Sequence, residues 1–116
     1  TSIEHRVCRV HARIGSMRTY SHPPADDLVL ERVFQALSDP VRLDVVRRLA
    51  SVKAASCGEL DNGRPKSSMS HHYRILRESG LMRTDVTGTA HSNSLRRADL
   101  KRRFPGLLKA VLKQMG

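Results

Sequence analysis

The amino-acid sequence predicts a mainly α-helical domain with one small β-hairpin. Apolar residues recur at helical spacing in most segments after residue 26. A turn containing Gly and Pro, at residues 61–65, separates a short predicted helix from a longer one. Two segments of alternating character then flank Thr87-Gly88, as expected of a hairpin. Because the chain has 116 residues, these elements fit one domain, and their order predicts a winged helix-turn-helix.

The first two helices are predicted at residues 26–37 and 40–50. The acidic pair at residues 26 and 27 suits a helix start, and Asp39 suits the N-cap of the second helix, with Pro40 in its first turn. The first helix carries one apolar stripe, and the second is expected to turn its arginines outward. The stripe consists of Leu30, Val33, Phe34 and Leu37, and the arginines are Arg42, Arg47 and Arg48.

The later elements follow from their capping and turn residues. Ser56 and Glu59 have the spacing of a capping box and open a short helix. The next helix is predicted at residues 66–79, where Gly80 is placed to close it. Strands are predicted at residues 81–86 and 90–95. A last helical region begins near residue 97, and Pro105-Gly106 should kink or interrupt it.

The longer helix after the turn divides into two faces. One face is apolar and is expected to pack inward, with His72 as a half-buried, hydrogen-bonded histidine. The other face carries hydroxyl, imidazole and guanidinium groups, which are the groups that contact phosphates and base edges in a DNA groove. An ordinary solvated surface is the alternative interpretation. The inward residues are Met69, His72, Tyr73 and Leu76, and the outward ones are Ser67, Ser68, Ser70, His71 and Arg74.

The charge of the chain favours a polyanionic partner. The formal net charge is +10, and residues 51–116 hold thirteen Lys and Arg against five acidic side chains. Such a balance predicts a nucleic-acid partner, with an anionic membrane surface as the competing one, and together with the helix-turn-helix and the hairpin it favours double-stranded DNA. Since neither a spanning apolar run nor a signal sequence is visible, we expect no membrane partner and a cytoplasmic location. No paired carboxylates, nucleophile elbow or phosphate loop is visible, so the sequence does not predict an enzyme.

Two segments resemble the ArsR/SmtB family of bacterial repressors. Residues 36–43 (ALSDPVRL) are similar to the opening of that family's fold, and residues 68–81 (SMSHHYRILRESGL) to its recognition helix. The resemblance covers roughly residues 28–112. It implies a homodimeric repressor that leaves its operator when an inducer binds, with the first and last helices at the dimer interface.

Specific residues follow from the resemblance and from the helix face together. The expected DNA-binding residues are Lys66, Ser67, Ser68, Ser70, His71 and Arg74 in the helix, and Arg83 and His91 in the wing. The expected dimer interface consists of Leu30, Phe34, Leu100, Phe104, Leu108, Val111 and Leu112. The domain would then span residues 26–116, after a basic extension at residues 1–25 that we expect to be flexible.

The sequence departs from the family at its metal sites and in the wing. A Cys-x-Cys pair is absent near Cys57, and the last helix carries Asp99 but no histidine. Residues 87–93 lack the Arg and Tyr common in the wing. We therefore predict no cofactor. A metal- or thiol-responsive sensor, with a transition metal at His5, Cys8, His11 and Cys57, remains an alternative, as does a non-specific basic DNA-binding protein.

Overall fold

The computed structural model describes residues 20–115. A short 3-10 turn, Ala25–Asp27, precedes the regular elements. In chain order these are α1 (Leu30–Leu37), α2 (Pro40–Ala50), α3 (Cys57–Asp61), α4 (Lys66–Ser79), β1 (Met82–Thr87), β2 (Ala90–Leu95), α5 (Arg97–Arg103) and α6 (Leu107–Gln114). This order confirms the predicted fold class, mainly α-helical with one hairpin.

The first helix is shorter than the sequence predicts. Asp26 and Asp27 lie in the separate 3-10 turn, and α1 begins at Leu30 after the extended residue Val29. The interruption turns Leu28 into the core, where its side chain is only 1% exposed. Removing a whole leucine side chain from water favours this break over a continuous helix by about 2 kcal/mol.

Arg42 is buried, contrary to the outward orientation expected for it. Its guanidinium donates hydrogen bonds to the carbonyl oxygens of Ala36 at 2.7 Å and Gln35 at 3.2 Å, both at the end of α1. The same group lies 3.1 Å from Nδ1 of His72 on α4. Since the last carbonyls of a helix lack intrahelical partners, Arg42 satisfies them and joins α1, α2 and α4.

The core is aliphatic apart from Tyr73 and lies between α1, α2, α4 and the base of the hairpin. Leu100, predicted at the dimer interface, belongs to this core and is 2% exposed. The reason is that α5 packs on the turn Ala25–Asp27, where Arg103 donates to the carbonyl oxygen of Leu28 at 3.1 Å. The prediction for Leu100 is therefore wrong, because a side chain buried in its own subunit cannot contact another.

An apolar surface remains on the outside of the fold. Phe34 is 51% exposed and Leu30 is 40% exposed, although both are large apolar residues. The predicted interruption at Pro105-Gly106 is confirmed, since Gly106 takes a left-handed conformation between α5 and α6. The apolar residues of this last region are half-buried, namely Phe104, Leu107, Leu108, Val111, Leu112 and Met115. Among residues 20–115, no helix has the length and apolar character needed to cross a bilayer.

The hairpin is antiparallel, and its register runs from Met82 opposite Leu95 to Thr87 opposite Ala90. Its base is anchored in the fold. Asn93 is fully buried and forms an isolated bridge with Ala55, ahead of α3. The two strands therefore project from the core directly beside α4.

Candidate nucleic-acid interface

The recognition helix α4 has the two faces that the sequence predicts. Met69, Tyr73 and Leu76 are buried on the inner face. His72 is half-buried beside Arg42, and its pKa is lowered by burial and by that guanidinium, so the ring is neutral at pH 7. The outer face is exposed and consists of Ser67, Ser68, Ser70, His71 and Arg74.

A buried hydrogen bond sets the angle between α3 and α4. The Tyr73 hydroxyl donates to the carboxylate of Asp61, the last residue of α3, and both residues are buried. Burial and the neighbouring carboxylate raise the pKa of Tyr73, so the phenol remains protonated and keeps donating. The first helix of the helix-turn-helix is thus fixed against the second.

The start of α4 is open towards solvent. Its N-cap is Pro65, whose side chain makes no capping hydrogen bond. Ser68 donates its hydroxyl to the carbonyl oxygen of Pro65 at 3.0 Å, and Lys66 is 85% exposed with Asp61 at 3.8 Å. Because helix N-termini carry partial positive charge and free N–H groups, this end suits a phosphate.

About one turn beyond Ser70, Arg74 lies beside His71. Its Nη2 atom is 3.3 Å from Nδ1 of the imidazole, and both side chains are exposed. A guanidinium held at this position on the outer face can reach a guanine edge or a flanking phosphate.

A cleft of about 590 Å³ lies between α4, the hairpin and the chain around Tyr20. It brings together predicted helix and wing residues that are distant in sequence. Its lining carries five basic or imidazole groups and one carboxylate, so its charge suits a polyanionic backbone. The six groups are Lys66, His71, Arg74, Arg77, His91 and Asp61.

The two predicted wing residues have different surroundings. His91 is half-buried at the cleft, where Nε2 lies 3.3 Å from the Tyr20 hydroxyl. Arg83 lies outside the cleft lining and forms an ion pair with Asp85 at 3.0 Å. The tip of the hairpin is exposed and uncharged at residues 87–90. Arg83, the only Lys or Arg of the two strands, therefore lies near the base of the hairpin, whereas His91 lies one residue pair from the Thr87–Ala90 end.

Sequence reasoning did not single out two parts of this surface, Arg77 and the chain at residues 20–22. The guanidinium of Arg77 lies 4.0 Å from the ring centroid of Tyr20. His22 accepts a hydrogen bond at Nε2 from the Thr84 amide at 3.0 Å. The one feature of the sequence that could have drawn attention to Tyr20 is the rarity of aromatic residues, because the chain has only four Phe, Tyr and Trp residues in total.

Of the four residues of the alternative metal or thiol site, Cys57 is the one that lies within the described part of the chain. Cys57 is half-buried, and Nδ2 of Asn93 lies 3.4 Å from its sulfur. Within the described part of the chain, no three His, Cys, Asp or Glu side chains are grouped to hold a metal ion. His5, Cys8 and His11 lie outside the described residues, so this alternative stays a prediction.

A two-helix unit, an exposed basic helix face and an adjoining hairpin define a winged helix-turn-helix DNA-binding protein. Known proteins agree with this class. A helix-turn-helix domain family matches residues 37–85. The HTH-type transcriptional regulator YceK of Bacillus subtilis is 36% identical over an alignment of 90 residues, and the match covers 75% of this chain and 90% of the relative.

Similar solved structures indicate which group of winged helix-turn-helix regulators the fold resembles. The crystal structure of an ArsR family transcriptional regulator is 26% identical with a TM-score of 0.58, over 82% of this chain and 93% of that one. The transcriptional repressor BigR from Xylella fastidiosa shares the fold at 22% identity and a TM-score of 0.59, over 100% and 98% of the two chains. The protein belongs to the ArsR/SmtB family of winged helix-turn-helix transcriptional regulators, and it is a regulator rather than an enzyme.

Proposed function

We propose that this protein binds a specific operator in double-stranded DNA as a homodimer and represses transcription until an inducer releases it. The carrying observation is the outer face of α4, where exposed hydroxyl and basic groups border a basic cleft beside the wing. Repression rests on the family resemblance and agrees with the name of the structural neighbour BigR, a transcriptional repressor. Binding to a bacterial operator also implies a cytoplasmic location.

The residues of the interface take different roles in this proposal. Lys66, Ser67 and Ser68 lie at the open start of α4 and hold a phosphate. Ser70, His71 and Arg74 lie further along the outer face and contact base edges in the major groove. Phosphate contacts position the protein, whereas base contacts distinguish sequences.

The proposal is tested by selecting bound sequences from random double-stranded DNA and footprinting the result. We expect a palindromic site with half-sites about one helical turn apart, because a two-fold dimer presents two recognition helices to successive major grooves. Equal affinity for all sequences would instead indicate a non-specific basic DNA-binding protein. Native mass spectrometry of the same sample reports the dimer.

No resident cofactor is part of the proposal. The mass measurement also detects a bound transition metal. A metal that disappears on Cys57→Ser or Cys8→Ser would favour the sensor alternative that includes His5 and His11.

Arg74→Ala is expected to weaken operator binding by about 1–3 kcal/mol and to blur the preference at one position of each half-site. Ser68→Ala should weaken binding less, because a hydroxyl contact to phosphate is weaker and carries no sequence information. The measurement is a base-substitution scan of the operator with each variant. Arg47→Ala is the matched control, since this exposed arginine on α2 pairs with Asp44 away from the cleft.

The scan separates three results for Arg74. A change confined to one base position supports base recognition. An equal loss on every sequence makes Arg74 a phosphate contact. An unchanged profile means that α4 does not enter the groove as proposed.

Salt should weaken operator binding steeply. A dimer that makes several phosphate contacts displaces counterions, so affinity should fall about 10³-fold or more between about 50 and 200 mM salt. A titration by fluorescence anisotropy at several salt concentrations measures the slope. A flat profile would contradict binding through the phosphate backbone.

A further inference from the structure

Residues 20–22, named here the N-terminal strap, contact both the recognition helix and the wing. We propose that this strap is a positioning element, which holds the hairpin at a fixed angle to α4 and so determines where the wing meets DNA. The inference rests on the proposed DNA binding, but its mechanical part concerns the free protein alone.

Tyr20 connects the two elements directly. The Arg77 guanidinium, in the last turn of α4, lies 4.0 Å from the centroid of the Tyr20 ring, a distance typical of a cation–π contact. The hydroxyl of the same tyrosine lies 3.3 Å from Nε2 of His91 in β2. One side chain thus bridges the recognition helix and the returning strand of the wing.

The hairpin needs such a bridge in its outer half. The base is fixed by buried side chains, among them Met82, Thr84 and Asn93. For residues 85–92, the contact between Tyr20 and His91 is the one side-chain hydrogen bond to another element found within residues 20–115. Because an isolated two-stranded hairpin is marginally stable, the orientation of this half depends on the strap.

His22 secures the other strand at its free edge. Thr84 lies in β1, and its amide donates to Nε2 of His22 at 3.0 Å, while Arg77 lies 3.4 Å from the Thr84 hydroxyl. Burial and the nearby Arg83 lower the pKa of His22 to about 4. The imidazole is therefore neutral at pH 7 and accepts this hydrogen bond.

The angle of the hairpin matters because its tip is far from its base. Six residues of strand span about 20 Å, so a tilt of about 10° moves the tip by about 3 Å. A displacement of this size breaks a hydrogen bond to a phosphate while α4 stays in its groove. Loss of the strap should therefore affect the flanks of the operator more than its half-sites.

Hydrogen–deuterium exchange of the free protein tests the mechanical part. We expect Tyr20→Ala to raise amide exchange about tenfold in residues 85–92, and His22→Ala to raise it near Thr84, because each removes a contact that restrains the hairpin. Ser21→Ala is the matched control within the strap, since this side chain is exposed. Unchanged exchange in both variants would overturn the proposal.

Footprinting on the operator selected by the wild type tests the consequence for DNA. We expect Tyr20→Ala to bind about tenfold more weakly and to lose protection at the flanks, and Tyr20→Phe to lose about threefold, because it keeps the ring on Arg77. Weaker binding without faster exchange would make Tyr20 a direct DNA contact and overturn the positioning role. If Tyr20→Ala raises exchange throughout the chain, Tyr20→Phe and His22→Ala decide the question.

A wild-type protein that binds no DNA would refute the proposed function. The exchange result would then still decide whether the strap restrains the hairpin.

Discussion

Phe34→Glu is expected to convert the proposed dimer into monomers and to weaken operator binding strongly. Phe34 lies on α1 and is 51% exposed in the single subunit, next to Leu30 at 40%. A glutamate carboxylate at this exposed position should change the free energy of unfolding of the isolated subunit little. In a dimer that covers this face, the same carboxylate would be buried and unpaired. A monomer holds only one half-site, so its operator affinity should fall at least about 10²-fold.

Sedimentation equilibrium and operator titration measure the two effects together. The matched control is Val52→Glu, because Val52 is a comparably exposed apolar residue, at 42%, in the loop after α2. Leu108 and Leu112 are less clean targets, since they pack partly against their own core. A Phe34→Glu variant that remains dimeric would remove α1 from the proposed interface.

Gly80→Ala is expected to destabilise the fold by about 3–4 kcal/mol, which combines backbone strain with a steric clash. Gly80 ends α4 in a left-handed conformation with φ of +90°, and an added Cβ would lie 2.2 Å from Cδ2 of Leu28. Leu28 is fully buried, so it cannot move aside without repacking the core. The residue thus has to be glycine for two separate reasons.

Thermal unfolding of the variant and its control separates these reasons. Gly63 also has a positive φ, +79°, but an added Cβ there meets no atom within 4 Å. Gly63→Ala should therefore cost only about 1 kcal/mol, whereas Gly80→Ala should lower the Tm by about 15 °C or more. Similar losses at both positions would mean that the contact with Leu28 is readily relieved.

Local signals in the sequence predicted most of the secondary structure. The capping box at Ser56 and Glu59, the N-cap at Asp39 and the closing glycine at residue 80 all lie where they were expected, because each depends only on neighbours in the chain. The two faces of α4 followed from helical spacing in the same way. Capping residues, turn residues and helical spacing were therefore sufficient to predict the helix-turn-helix from the sequence.

Contacts between distant segments were not predictable by the same means. Arg42 was expected in solvent, because its carbonyl partners, although only six and seven residues away, lie on a separate helix whose packing against α2 the sequence does not indicate. Leu100 shares the apolar stripe of the last region, yet α5 turns it into the core of its own subunit. The break after Asp27 depends on the burial of Leu28, which only the assembled fold provides.

The buried guanidinium of Arg42 also bears on the entropy of binding. It holds α4 through His72 and the end of α1 through two carbonyl oxygens, so the recognition helix is immobilised when the chain folds. Ordering a flexible helix at the moment of binding would subtract from the affinity for DNA. Here that loss of freedom occurs during folding, and the helix meets the groove already preorganised.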